Sequence, residues 1–234
     1  MKITSRGFVP EDRKFFSQDT APLLKAAAKD LKYLADNGYP MKNASVFVGN
    51  HYSLSERQRL ALIRSVSPEK QLAVRSKNEI KIPDEKSVFH IDGFNTVITL
   101  EVAFSGSPVF RCMDGTFRDL AGLRGTYRLI DKTERAIDCI GKTLEKHKAE
   151  KAVFYLDAPV SNSGRLGQKI KERFEKYSFK TEIVVINEVD YVLKQLSCVV
   201  SSDAIILDNC ISWYNLTGEI LEQENLIKNA YQIW

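Results

Sequence analysis

The chain of 234 residues is long enough for one large domain or two modest ones, and its 44% apolar and 27% charged content is that of an ordinary soluble globular protein. No apolar run approaches the roughly 20 residues that a transmembrane helix needs, and the amino terminus lacks the apolar core of a secretory signal, so we expect a cytoplasmic protein without membrane contact. The net charge of +4 divides unevenly, since residues 1–83 carry 15 Lys/Arg against 8 Asp/Glu and residues 84–234 carry 19 against 22. A basic front half and an acidic back half are what a nucleic-acid-binding module joined to a metal-binding domain would have. Two ordinary solvated surfaces would give the same charges equally well.

The front segment is predicted to be helical. Asp19 or Thr20 can cap a helix that carries Pro22 in its first turn, and leucines and alanines then recur at helical spacing. The Asn-Gly pair after residue 36 is expected to end this helix. A second helix is predicted to begin at Ser55.

Between these helices the apolar run Ala44–Asn50 predicts a short strand or a buried turn. Polar residues from Asn78 to Lys86, with Pro83 among them, form the predicted domain boundary. We therefore divide the chain into a basic, mainly helical module at residues 1–83 and an α/β domain at residues 84–234.

From residue 87 the sequence alternates short apolar runs with helical stretches. Near-continuous runs of Val, Ile and Phe are typical of strands buried on both faces, as in parallel sheets. Alternation of strand and helix predicts an α/β fold with a mostly parallel, doubly wound sheet. The predicted strands are Ser87–Ile91, Lys151–Leu156, Thr181–Ile186 and Ser197–Ser201, and the main predicted helices are Lys132–His147 and Leu166–Tyr177.

Aspartates follow the predicted strands closely. Asp92, Asp157 and Asp203 stand at or just after three strand ends, and Asp190 follows the remaining strand. Because the carboxyl ends of parallel strands share one edge, we expect these carboxylates to meet there, where a hard cation such as Mg²⁺ or Mn²⁺ would offset their repulsion. Strand-end aspartates are also common as helix caps and turn formers, and for any single one that explanation is equally good.

A polar loop follows the second of these strands and opens a helix. Its small hydroxyl and amide residues, Ser161, Asn162 and Ser163, would leave backbone N–H groups free for an anion, and Arg165 could add a bidentate contact to phosphate. An ordinary Ser/Asn-capped loop would have the same sequence.

A basic segment with two glycines lies between the first two strands. Arg118, Arg124, Tyr127 and Arg128 could reach phosphates or stack on bases, and a merely solvated basic loop is equally consistent with the residues.

Cysteine and histidine chemistry is not indicated. The four cysteines are scattered, with no Cys-x-x-Cys pair, which argues against a zinc site and a disulfide framework and favours a reducing compartment. His90 falls inside a predicted strand and His147 in a charged helix tail, and no Ser/His/Asp or Cys/His set accompanies them.

The aspartate motifs resemble those of PIN-like nucleases of the NYN branch. The resemblance is carried by Ile91-Asp92-Gly93-Phe94-Asn95, by Phe154-Tyr155-Leu156-Asp157-Ala158, by Val189-Asp190 and by Val199-Val200-Ser201-Ser202-Asp203, and it covers roughly residues 87–212. It implies a metal-dependent ribonuclease fold with Asp92, Asp157, Asp190 and Asp203 at the metal and with Asn95 orienting substrate or a ligand water. The whole chain also resembles an uncharacterised prokaryotic group, domain of unknown function 434 with its carboxyl-terminal partner.

Two features depart from the PIN-like pattern. The insertion through Ser105–Arg128 is not typical of short family members. The acid usually found on an early helix has no clear counterpart: Glu101 and Asp119 are candidates for it, and Asp208 is a further residue that could complete the acidic site.

The sequence therefore predicts a Mg²⁺- or Mn²⁺-dependent nuclease with RNA as its substrate. A first alternative is a non-catalytic RNA-binding or ribosome-associated adaptor that keeps the fold. A second is a nucleotide phosphoryl-transfer enzyme that uses the Ser161–Arg165 loop. The oligomeric state is not indicated by the sequence.

Overall fold

The computed structural model describes residues 5–122 and 125–234, so Arg124, one of the predicted phosphate contacts, lies outside the described residues. Helices open the chain, and strands alternate with helices from residue 79 onward. The helices are α1 (Asp12–Phe15), α2 (Ala21–Asp36), α3 (Met41–His51), α4 (Glu56–Ser65), α5 (Glu69–Asn78), α6 (Gly93–Phe104), α7 (Thr133–Lys146), α8 (Ser163–Phe174), α9 (Val189–Leu193), α10 (Ala204–Leu207) and α11 (Leu216–Gln223). The strands are β1 (Glu79–Ile80), β2 (Val88–Asp92), β3 (Val109–Arg111), β4 (Phe117–Asp119), β5 (Lys151–Asp157), β6 (Lys180–Ile186), β7 (Val199–Val200) and β8 (Trp213–Tyr214).

The predicted starts of two front helices are confirmed. Thr20 is at the N-cap position of α2, with Pro22 in the first turn, but its side chain makes no capping hydrogen bond, because the hydroxyl donates to the backbone oxygens of Phe15 and Ser17 instead. Ser55 is the N-cap of α4, where a capping box joins it to Gln58: the Ser55 hydroxyl accepts from the Gln58 N–H at 3.3 Å, and the Gln58 side chain accepts from the Ser55 N–H at 3.0 Å.

The prediction of a strand or turn at Ala44–Asn50 is wrong, because these residues lie inside α3. Ala44 and Val48 are buried four residues apart, which is the spacing of one helix face, whereas Phe47 is 68% exposed. The apolar run therefore divides between the packed and the solvent-facing sides of a helix. Helix α5, which follows Pro68, was not predicted either.

The central sheet confirms the predicted fold class. Its strand order is β1-β8-β7-β2-β5-β6, and every neighbouring pair is parallel. From β2 the chain winds outward through β5 and β6, then returns to the other side of β2 to place β7 and β8. The strand order reverses between β2 and β7, and ligands of open α/β sheets bind at such a switch point.

The two faces of the sheet are covered unequally. Along β5, Ala152, Phe154 and Leu156 belong to a large core with α6, α7, α8 and α11. The alternate residues Val153 and Tyr155 pack in a smaller core under the short helices α9 and α10. Burial on both faces explains why the strands contain continuous apolar runs.

A third core connects the front helices to the insertion. The antiparallel hairpin β3–β4 places Phe110 and, just beyond it, Leu120 against Leu24, Leu31 and Leu62 of α2 and α4. The insertion is therefore the surface on which the front helices pack. The division of the chain at residue 83 stays a prediction. Within the ranges 5–122 and 125–234, no helix has the length and apolar character needed to cross a membrane.

Candidate active site

A cleft of about 450 Å³ opens at the carboxyl-terminal edge of the sheet. It is lined by all four predicted aspartates, which follow four neighbouring strands: Asp203 after β7, Asp92 on β2, Asp157 on β5 and Asp190 after β6. Parallel strands bring their carboxyl ends together, so residues that are 111 positions apart, Asp92 and Asp203, share one cavity.

Asp92 is the most buried of the four, with 6% of its surface exposed. Its carboxylate is the N-cap of α6, where it accepts from the Asn95 N–H at 3.4 Å, and it also accepts from the Ser201 hydroxyl at 2.8 Å. Burial raises the pKa of Asp92 to about 7; these two hydrogen bonds oppose the rise, while the charges of Asp190 and Asp203 add to it.

The other carboxylates of the cleft also interact electrostatically. Burial raises the pKa of Asp157. Asp190 is exposed overall, yet desolvation against the cleft wall raises the pKa of its carboxyl, and the charges of Asp203 and Asp157 raise it further. Asp203 caps the short helix α10 by accepting from the N–H groups of Ile205 and Ile206. The cluster therefore carries mutual repulsion that a cation would offset.

The donor set is entirely oxygen, which suits Mg²⁺ or Mn²⁺ rather than zinc. The carboxylates do not form a ready coordination site. In the parts of the chain that the structure describes, no three His, Cys, Asp or Glu side chains are grouped tightly enough to hold a metal ion. A cation in the cleft would have to pull the aspartate side chains toward itself.

Asn95 lines the cleft one turn after Asp92. Its side-chain oxygen accepts from both the N–H and the hydroxyl of Ser202 at 2.9 Å. That oxygen therefore fixes the turn between β7 and Asp203, and only the side-chain NH₂ of Asn95 remains available to a ligand.

Gly93 follows Asp92 because α6 packs directly against β5. A Cβ at Gly93 would lie 2.5 Å from Cδ2 of Leu156 and 3.0 Å from the backbone oxygen of Tyr155. We expect Gly93→Ala to destabilise the protein by roughly 1–3 kcal/mol through overpacking. Gly164→Ala, where a Cβ would meet nothing within 4 Å, is the matched control and should leave the melting temperature nearly unchanged. Equal melting temperatures for the two variants would contradict this account of the Asp-Gly pair.

Of the three candidates to complete the acidic site, only Asp119 lines the cleft among the described residues. It ends β4 and accepts from the Thr99 hydroxyl at 2.7 Å and from the Ala121 N–H at 2.7 Å. Glu101 is fully buried beside Arg6, which lies 2.7 Å from it, and Asp208 pairs with Arg75 at 2.7 Å. The fifth carboxylate of the cleft thus comes from the insertion.

The front helices form one wall of the cleft through Ile63 and Arg64 at the end of α4. The Arg64 guanidinium donates to the backbone oxygen of Asp119 and lies 3.7 Å from its carboxylate, and the side chain is 31% exposed. Sequence reasoning missed Arg64 because nothing local distinguishes it from any other charged residue in the last turn of an amphipathic helix.

Arg118 was predicted to contact phosphate, and the structure places it in the cleft wall as a buried residue. Its Nε donates to the backbone oxygen of Ser202 at 2.6 Å, one Nη donates to the backbone oxygen of Arg64, and the other pairs with Asp114 at 2.6 Å. Arg118 therefore ties together the two walls that carry Asp203 and Arg64. Arg128 is exposed and does not line the cleft.

The predicted anion-binding loop is occupied by contacts within the protein. The Ser161 hydroxyl accepts from the Tyr127 N–H at 3.2 Å, and the Asn162 amide donates to the Tyr127 backbone oxygen at 2.6 Å. Ser163 is buried at the start of α8, whereas the Arg165 side chain is exposed and has no hydrogen bond or ion pair among the described residues. None of the four lines the cleft.

Comparison with known proteins identifies relatives for both halves of the chain. The family described as Domain of unknown function (DUF5616) matches residues 84–219, and the family described as Protein of unknown function (DUF434) matches residues 23–77. The uncharacterized protein MJ0935 of Methanocaldococcus jannaschii is 37% identical over 202 residues, which cover 85% of this chain and 97% of that protein. No solved structure matches the chain significantly.

Proposed function

We propose that this chain, which belongs to the family described as Domain of unknown function (DUF5616), is a divalent-metal-dependent ribonuclease with a PIN-like active site. One observation carries the proposal: aspartates from four neighbouring parallel strands line a single cleft, where burial and the charges of the neighbouring carboxylates raise the pKa of Asp92 and of Asp190. A cytoplasmic location belongs to the same proposal, since the four cysteines are all unpaired and buried.

Within this proposal, Asp92, Asp157, Asp190 and Asp203 hold Mg²⁺ or Mn²⁺. When bound, the ion would lower the pKa of a water and stabilise negative charge on the phosphodiester. The sheet brings these carboxylates to one cleft, and Asn95 fixes the turn that carries Asp203. Helix α4 places the Arg64 guanidinium on the opposite wall.

RNA is the proposed substrate because the basic module at residues 1–83 contributes a wall of the cleft through α4. The adaptor alternative is favoured by a different observation. Asp92 and Asp203 both cap helices, so they have a structural role that does not need a metal. In the described ranges the carboxylates are also not grouped closely enough to hold a cation, as expected for a site that has lost catalysis and kept the fold.

The test uses the full chain and an end-labelled mixture of single-stranded and structured RNA, with Mn²⁺, with Mg²⁺ and with EDTA. The proposal expects cleavage that requires the metal and leaves 5′-phosphate and 3′-hydroxyl ends. RNA binding without metal-dependent cleavage would establish the adaptor instead. Nucleotide turnover without RNA cleavage would favour a phosphoryl-transfer enzyme.

Arg64→Ala is expected to weaken RNA binding about tenfold or more, because a charged hydrogen bond to phosphate contributes roughly 1.5–3 kcal/mol. Arg64→Lys should recover only part of the loss, since an ammonium cannot form the planar bidentate contact. Arg165→Ala in the same assay tests the phosphate contact predicted from sequence alone. If Arg165→Ala weakens RNA binding more than Arg64→Ala does, the phosphate is bound near Arg165 and not at the cleft wall.

A further inference from the structure

The helical pair α2–α3 presents exposed aromatic side chains. Tyr33 of α2 and Phe47 of α3 are each 68% exposed, which is unusual for large aromatic rings on a folded surface. Both line one small cavity of about 150 Å³, together with Asp30, Leu34, Val48, His51 and Tyr52. We call this the α2–α3 aromatic cavity.

The rings of Tyr33 and Phe47 lack aromatic partners. Neither ring makes an aromatic contact with another ring among the described residues, although both face the same space. By contrast, His51 and Tyr52 contact each other edge-on at 4.7 Å, and the Tyr52 hydroxyl donates to Asp30 at 2.7 Å. The cavity thus has a wall fixed by these two contacts and two highly exposed rings on which an inserted planar group could stack.

Asp30 in the cavity wall is hydrogen-bonded to Tyr52, and the charges that favour an anionic partner lie beside Tyr33 on α2. Lys29 and Lys25 precede Tyr33 by about one and two turns of α2 and are exposed, and neither forms an ion pair within the described part of the chain. Lys32 is the exception, since it pairs with Asp36 and with Glu69. Unpaired lysines beside unstacked aromatic rings are the combination that single-stranded nucleic acids recognise, through phosphate contacts and base stacking.

We propose that the α2–α3 aromatic cavity binds an unpaired base of a single-stranded RNA, with Lys25 and Lys29 contacting the flanking phosphates. The identification of the polyanion as RNA rests on the proposed ribonuclease function, whereas the stacking site rests on its own geometry. The site lies on the basic module and is separate from the residues that line the acidic cleft. It would hold substrate at a distance from the cleavage position, so cleavage of short and long RNA should differ in KM.

The experiment measures binding of a fluorescently labelled single-stranded oligonucleotide to the full chain by anisotropy. Phe47→Ala and Tyr33→Ala should each weaken binding roughly five- to hundredfold, as loss of a stacked base requires. Phe47→Trp should retain affinity because it keeps an aromatic face. Ile82→Ala removes an apolar side chain that is 81% exposed outside this surface, and it should have no effect.

Two further measurements separate this inference from the proposed function. Binding of duplex RNA of equal length should be unaffected by Phe47→Ala, because its bases are not available for stacking. Mn²⁺-dependent hydrolysis of the small diester bis(p-nitrophenyl) phosphate should be equal in wild type and Phe47→Ala. If the wild type does not hydrolyse this diester or RNA, the ribonuclease proposal fails while a loss of single-strand affinity in Phe47→Ala still supports the stacking site.

Two results would overturn the stacking site. The first is unchanged single-strand affinity in both Phe47→Ala and Tyr33→Ala. The second is an altered sedimentation coefficient in these variants with RNA affinity unchanged, which would make the surface a contact between copies of the chain.

Discussion

Asp92→Asn is expected to stabilise the metal-free protein at neutral and alkaline pH while abolishing metal-dependent cleavage. Burial raises the pKa of Asp92 to about 7, whereas an unfolded aspartate titrates near 3.9. Between these values the unfolded carboxyl is ionised while the folded one keeps its proton, so rising pH increasingly favours the unfolded state up to about pH 7. At about 1.4 kcal/mol per pKa unit, replacing Asp92 with asparagine should raise the free energy of unfolding by at most about 4 kcal/mol.

Thermal unfolding of the two proteins without metal, at pH 5 and at pH 8, checks this prediction. The gain in melting temperature should be several degrees at pH 8 and much smaller at pH 5. Asp138→Asn is the matched control, because Asp138 pairs with Arg173 and Lys176, which hold its pKa below the usual value against the effect of burial. That variant should gain nothing. If Asp92→Asn is less stable than wild type at pH 8, the ionised Asp92 carboxylate does not destabilise the folded protein, and this account is wrong.

The second large effect is expected at Asp114, which holds two arginines from different parts of the chain. Its carboxylate pairs with Arg75 of α5 and Arg118 of β4, each at 2.6 Å, and both arginines are buried. Removing one partner of a buried ion pair leaves uncompensated charge, so Asp114→Asn should cost about 3–5 kcal/mol of stability. Because Arg118 also holds the turn before Asp203 through Ser202, RNA cleavage by the folded fraction should fall as well.

The pH dependence of the Asp114 effect has a defined sign. Burial opposes ionisation of this carboxyl, but Arg118, Thr116 and Arg75 together hold its pKa below the usual value. Its contribution is therefore present above the unfolded pKa of about 3.9 and disappears as pH falls through the lower folded value. Chemical unfolding of wild type and Asp114→Asn should show a large difference at pH 7 that narrows in acid.

A surface pair supplies the control for Asp114. Glu85 and Lys148 pair with both side chains 68% exposed, so Glu85→Gln should change stability by less than about 1 kcal/mol. An Asp114→Asn effect no larger than the Glu85→Gln effect would show that the buried network does not hold the cleft walls together.

The sheet and the convergence of its aspartates could be predicted because both follow from regular geometry. Strands buried on both faces have continuous apolar runs, and parallel strands end at one edge, so the sequence alone predicts that Asp92, Asp157 and Asp203 meet. Helix α6 could not be anticipated in the same way. Its first residue, Gly93, follows an aspartate, and an Asp-Gly pair is equally typical of a turn.

The rest of the cleft depends on tertiary contacts that local sequence does not encode. Arg64 and Arg118 lie 54 positions apart, and only packing of the front helices on the β3–β4 hairpin brings them to the same wall. The Ser161–Asn162 loop was predicted to bind an anion because its residues are small and polar. Those same properties let it bind the backbone of Tyr127 instead.

The front helices therefore contribute to the site itself as well as to its charge. Through Arg64 and Ile63 they form a wall of the acidic cleft, and through Tyr33 and Phe47 they offer a second, aromatic contact surface. In the proposed ribonuclease, the module would bind the RNA strand on one side while the carboxylates act on the other.

Titration of Mn²⁺ by calorimetry into the full chain, with Asp92→Asn beside it, tests the metal site most directly. The account predicts saturable binding in the wild type that is strongly weakened in Asp92→Asn, with both proteins folded as judged by circular dichroism. Equal Mn²⁺ affinity in the two proteins, or no saturable binding in the wild type, would contradict the assignment of the strand-end aspartates to a metal.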